Sequence, residues 1–85
     1  MPYIEQGRRG DLDLAMTLLM QEKELTNGDL NYIITRLLHN QLKLHGTNYE
    51  RFNGLTGVLE CAKLELYRRV VGPYEDIKIK ENGDV

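Results

Sequence analysis

The residues of this chain whose types and spacing could do chemistry gather in GVLECAKLELYRRVV, Gly57 to Val71, and the turn after it. Glu65 stands three positions before Arg68 and four before Arg69, so on a helix its carboxylate can pair with either guanidinium. One reading is structural: an ion pair, in the helical sector of Val58 and Ala62 and partly buried there, that holds the helix or sets register between subunits. The other makes Arg68 and Arg69, with Tyr67 and Tyr74, an anion-plus-aromatic site, because guanidinium forks match phosphate geometry and tyrosine rings stack on bases. Arg8 and Arg9 either add positive charge to such a site or are merely solvated. Tyr32 and Arg36, neighbours at i, i+4 beside Asn31, either close over a ligand or place Tyr32 on the rim of the core.

Other chemistries have weaker support. His39 and His45 are six apart, no HExxH or CxxC occurs, and Glu60 and Glu65 diverge on a helix, so no metal or cofactor is expected. The same lack of paired acidic motifs counts against the all-α nucleotide pyrophosphohydrolases. The chain has no serine, and Cys61 has neither a sequence-near histidine nor an electropositive setting, so no catalytic residue is assigned. A non-enzymatic role is the main reading and catalysis the minority one.

These residues need elements to position them. The 85 residues read as a single helical domain, 1–85, and a domain of that size hides only about 60–65% of the surface its unfolded chain exposes. Association is the natural remedy. A single cysteine excludes an internal disulfide and suits a reducing, cytoplasmic setting. The opening MPYIEQGRRGDLD has no apolar stretch after its charges and no run of 18 apolar residues follows, so neither a signal peptide nor a membrane partner is expected. Net charge is −2, with four acids and two lysines in the acidic arm 74–85. The nine acids and nine bases of residues 1–73 cancel, which argues against a face for duplex nucleic acid.

Apolar spacing predicts a first helix over about 6–22, with Leu12, Ala15 and Leu19 on one stripe. Pro2 is tolerated ahead of it. Gly7 and Gly10 weaken its first turns by roughly 1 kcal/mol each, so fraying or a start at Asp11 is an alternative. Thr26, with Asp29 three positions on, is a capping-box-like start for a second helix running to His45, and Gly46 suits a left-handed stop. Thr47-Asn48 caps a third helix, Tyr49 to Val71, before Gly72-Pro73 interrupts it. Phe52, Leu55, Leu59, Ala62 and Leu66 form a coiled-coil-like seam, with Cys61, Leu64, Tyr67 and Val71 on another side, so burial on two sides and contact with another subunit are expected. Tyr74 to Lys80 is a short helix with Pro73 in its first turn, or an extended arm; Asn82-Gly83-Asp84 is a stop.

At LNYIITRLL, Leu30 to Leu38, at GVLECAKLELYRRVVGPYEDIKIKENGDV, Gly57 to Val85, and at the opening PYI, the chain resembles a family of short uncharacterised proteins carried by phages and prokaryotes. The resemblance spans nearly the whole length and implies a context, not an activity. In kind, though in no motif, a small helical protein of this composition is similar to the sponge proteins with which phages sequester nucleotide-derived immune signals. The expectation is an all-α, homo-oligomeric protein: a three-helix core with a long third helix and a short C-terminal helix or arm. Its expected partners are itself and an anionic, nucleotide-like signalling molecule held in an inter-subunit pocket, in the host cytoplasm if phage-encoded. A protein–protein interaction module is the alternative, and a nucleotide-cleaving enzyme the weaker one.

Overall fold

A computed structural model describes residues 3–22 and 24–85. Every element of the described residues is helical: α1 spans Gln6–Met20, α2 Asn27–His45, α3 Tyr49–Leu66, a π-helical turn Tyr67–Val71, and α4 Gly72–Asn82. Two compact units divide the chain, Tyr3–Phe52 and the segment Asn53–Val85, with the boundary inside α3. Pro2 lies outside the described residues.

In residues 3–52 the helix ends follow from local chemistry. The Asp29 amide donates to the Thr26 hydroxyl at 3.0 Å and the Thr26 amide donates to the Asp29 carboxylate at 3.0 Å, a reciprocal capping box at the start of α2. At the other end Gly46 takes φ +87°, which glycine alone enters without strain, and its amide bonds to the Leu42 carbonyl. The Asn48 side chain accepts from the Arg51 amide at 2.7 Å and so starts α3. α1 begins at Gln6 without fraying at Gly7 or Gly10, and it stops two residues earlier than the apolar spacing predicts.

In residues 53–85 the predicted interruption at Gly72-Pro73 is corrected. α3 gives way to a π turn at Tyr67, the Gly72 amide bonds to the Tyr67 carbonyl five residues back, and α4 follows with Pro73 in its first turn. Proline has no N–H to donate and its ring crowds the carbonyl four residues earlier; one wide turn makes room without breaking the helix. Gly72 is helical, at φ −56° and ψ −53°, a region disfavoured before proline for residues with a side chain, and a Cβ there would stand 3.4 Å from the Tyr67 carbonyl oxygen. Of the alternatives for 74–80, the helix is the one observed, ending at Gly83 with φ +85°.

No described residue is buried. Leu25, Ile33, Leu38 and Leu42 in the first unit, and Leu55, Cys61, Glu65 and Val71 in the second, are half-buried. The two-sided burial expected for α3 is therefore not found: Phe52, Val58, Leu59, Leu64 and Leu66 are all exposed. Among the described residues of 3–52, α1 leaves much of the apolar surface of α2 open: Leu30, Ile34, Leu37 and Leu44 are exposed. No described helix is long and apolar enough to cross a membrane.

Candidate functional site

The candidate residues from the sequence divide between the two units. Arg8, Arg9, Tyr32 and Arg36 belong to residues 3–52; Glu65, Tyr67, Arg68, Arg69 and Tyr74 belong to 53–85.

In the second unit the positive charges already have a carboxylate. Glu65 accepts from Arg69 Nε at 3.0 Å and from Arg68 Nη2 at 3.2 Å, so one carboxylate bridges both guanidinium groups. The Glu65 side chain is 22% exposed against 65% and 62% for the arginines, which places the acid inside and the bases outside. Tyr67 donates its hydroxyl to Glu75 at 2.7 Å, tying the end of α3 to α4 across the π turn. That hydrogen bond, then the charge of Glu75, then desolvation and Asp76, raise the Tyr67 phenol above its ordinary value of 10.0. Tyr74 lies under the Lys78 ammonium, 5.5 Å from ring centroid to Nζ. This cluster is a set of intrahelical and helix-to-helix ties, with its aromatic rings already matched to partners.

In the first unit Arg9 donates to the Ile4 carbonyl at 3.0 Å, and Arg8 is exposed on the first turn of α1. Neither lines the groove described next. On α2, Arg36 donates from Nη1 to the Tyr32 hydroxyl at 3.0 Å, with its guanidinium carbon 5.8 Å from the ring centroid. No carboxylate of the described residues is ion-paired with Arg36. The pair opens into a groove of about 670 Å³. Leu19 from α1, with Ile33 and Leu37 from α2, makes its apolar lining; Tyr32, Arg36, His39, Asn40 and Lys43 supply its polar groups.

α2 builds this wall by periodicity. Steps of four, three and four from Tyr32 reach Arg36, His39 and Lys43, which share a face at 3.6 residues per turn. A ring, a planar fork and an ammonium thus stand in one row, with no carboxylate among the lining residues. Arg36 keeps N–H donors beyond the one used by Tyr32, and that phenol restrains the fork before any ligand arrives. Lys43 contributes a point charge one turn further on, and Asn40 an amide that can read the edge of a base. The arrangement can hold a small anion bearing an aromatic ring.

Sequence reasoning found Tyr32 and Arg36 and missed His39, Asn40 and Lys43. The signal was present, since all three repeat at helical spacing from Tyr32. Leu19 had no such signal, being brought from another helix. No group of three or more His, Cys, Asp or Glu side chains among the described residues could hold a metal ion.

Comparison with known families finds a match that runs the full length: a domain of unknown function, DUF6899, covers residues 1–85. The chain belongs to that family. No curated protein and no solved structure matches it.

Proposed function

We propose that the chain is a non-enzymatic binding protein for a small anionic, nucleotide-like molecule, held in the α2 groove by Tyr32, Arg36, His39, Asn40 and Lys43. The observation that carries this reading is the polar row of the groove, which places Arg36 and Lys43 beside an aromatic ring with no carboxylate in the lining. Arg68 and Arg69 serve a structural role in it, because Glu65 bridges them. A volume of about 670 Å³ suits a ligand of nucleotide size. Sequestration fits a groove with anion-binding groups and no nucleophile activated beside it. The finer version is a phage-carried sponge acting in the host cytoplasm, supported by likeness in kind alone.

Calorimetry of the full chain against cyclic dinucleotides and cyclic or adducted ADP-ribose tests the reading. The ligand is recovered by heat denaturation and weighed by mass spectrometry. A dissociation constant below about 10 μM, roughly −7 kcal/mol, with unaltered ligand, is the expected result. No binding across the panel overturns it, and altered ligand replaces it with a nucleotide-cleaving enzyme.

The second reading, a protein–protein interaction module, is favoured by a different observation: no described residue is buried, so the apolar faces of the helices need another surface to cover them.

A further inference from the structure

The two cations of the α2 groove are held apart by the helix that carries them. Arg36 and Lys43 share the face of the polar row at i, i+7, two turns and about 10 Å of rise. Helical side chains lean toward the N-terminus of their helix, so both lean the same way and the interval persists. Arg36 is also tethered on the far side: its Nη1 donates to the Tyr32 hydroxyl at 3.0 Å, one turn further from Lys43, and its guanidinium stands over the Tyr32 ring. Among the described residues no ion pair occupies either cation. Between them the lining offers an imidazole and a carboxamide, His39 and Asn40.

This interval selects among anions of equal charge. A diphosphate joins its two phosphoryl groups through one oxygen, so its charges lie together and meet one cation at a time. Engaging the second would swing Arg36 and Lys43 toward each other, which gives up the hydrogen bond to Tyr32 and brings like charges close. Two phosphodiesters separated by ribose instead meet one cation each, with sugar and base lying over His39 and Asn40. We infer that the groove takes a cyclic dinucleotide, whose two phosphates stand on opposite sides of its ring, in preference to a nucleotide in which they are joined as a diphosphate, the ADP-ribose forms included. The inference rests on the ligand reading of the same groove and narrows it.

The test uses pairs that differ in little besides the spacing of their charges. Cyclic di-AMP and diadenosine diphosphate each carry two adenosines and two singly charged phosphates, and cyclic di-GMP and diguanosine diphosphate are the guanine pair. Calorimetry of the full chain should show the cyclic member of at least one pair binding about tenfold more tightly, the worth of one added charged hydrogen bond. Equal affinities in both pairs, or tighter binding of a joined member or of an ADP-ribose form, leave the ligand reading of the groove standing and overturn this one. No binding by any of them overturns both.

Arg36→Ala and Lys43→Ala should each cost the cyclic ligand about tenfold, whereas the joined ligand should lose that much to Arg36→Ala alone. Unchanged cyclic affinity in Lys43→Ala overturns the two-point contact. In the double variant Asn40→Lys/Lys43→Ala the second cation stands one turn from Arg36 instead of two, and the preference should swing toward the joined ligand. A rise in one affinity as the other falls separates a moved contact from a damaged fold; an unchanged preference overturns the role of the interval.

Discussion

Arg36 and Arg69 are the same residue type on two helices of one chain, each with an i−4 neighbour, and the neighbour makes them different. Arg36 has a phenol four residues before it, which orients the guanidinium and leaves its charge whole. Arg69 has a carboxylate four residues before it, and that one carboxylate is divided between Arg69 and Arg68, leaving a single net positive charge on the three groups. The arginine pair is therefore no richer in charge than the lone arginine, and its forks are already engaged. What decides is the partner at i−4, a distance at which helical side chains meet.

The comparison breaks most readily at the ligand. Arg36→Ala should weaken binding of the calorimetric ligand roughly tenfold or more, as loss of a charged hydrogen bond costs about 1.5–3 kcal/mol. Arg69→Ala, measured the same way, should change affinity less than about twofold; equal losses would erase the distinction. The next effect concerns the helix that carries Arg36. Thr26→Ala removes the acceptor for the Asp29 amide and should cost about 1 kcal/mol in denaturant unfolding, with ligand affinity falling in step as α2 frays.

A smaller effect separates the second unit. Because Glu75 raises the Tyr67 phenol above 10.0, the neutral form is favoured in the folded chain. The tie therefore contributes fully below pH 10 and is lost as pH rises through the higher folded value. Stability followed by circular dichroism should show an alkaline step that Tyr67→Phe abolishes; a step that survives places its origin elsewhere. Smallest is the stability change on Arg69→Ala itself, about 0.3–0.5 kcal/mol for an exposed i, i+4 pair, since Glu65 retains Arg68.

Much of this was legible because it is local. The Thr26–Asp29 box, the stop at Gly46, the Asn48 cap and the pairing of Glu65 with both arginines depend on residues within four positions of one another. The partial burial expected for the Glu65–Arg69 pair holds for Glu65 alone, since the Arg69 side chain is 62% exposed. The π turn was not legible, because periodicity rules treat Gly72-Pro73 as a stop and do not weigh a wider turn that accommodates proline. Burial is legible only in part: apolar spacing on α3 says which faces would be covered, not whether this chain or another subunit covers them. The groove was half visible, its α2 row lying at helical spacing in the sequence and Leu19 arriving only by folding.

The π turn also acts as a phase shifter. In an uninterrupted α-helix, residues eight apart such as Tyr67 and Glu75 would point about 80° away from each other. A wide turn absorbs roughly one extra residue, setting the following helix back by about 100° and returning Glu75 nearly to the azimuth of Tyr67. Their 2.7 Å hydrogen bond is thus a readout of the angle between α3 and α4 side-chain faces. Deleting a single residue between 67 and 71 would leave every side chain of α4 intact and dial all of them, Ile77 and Ile79 included, to a different bearing.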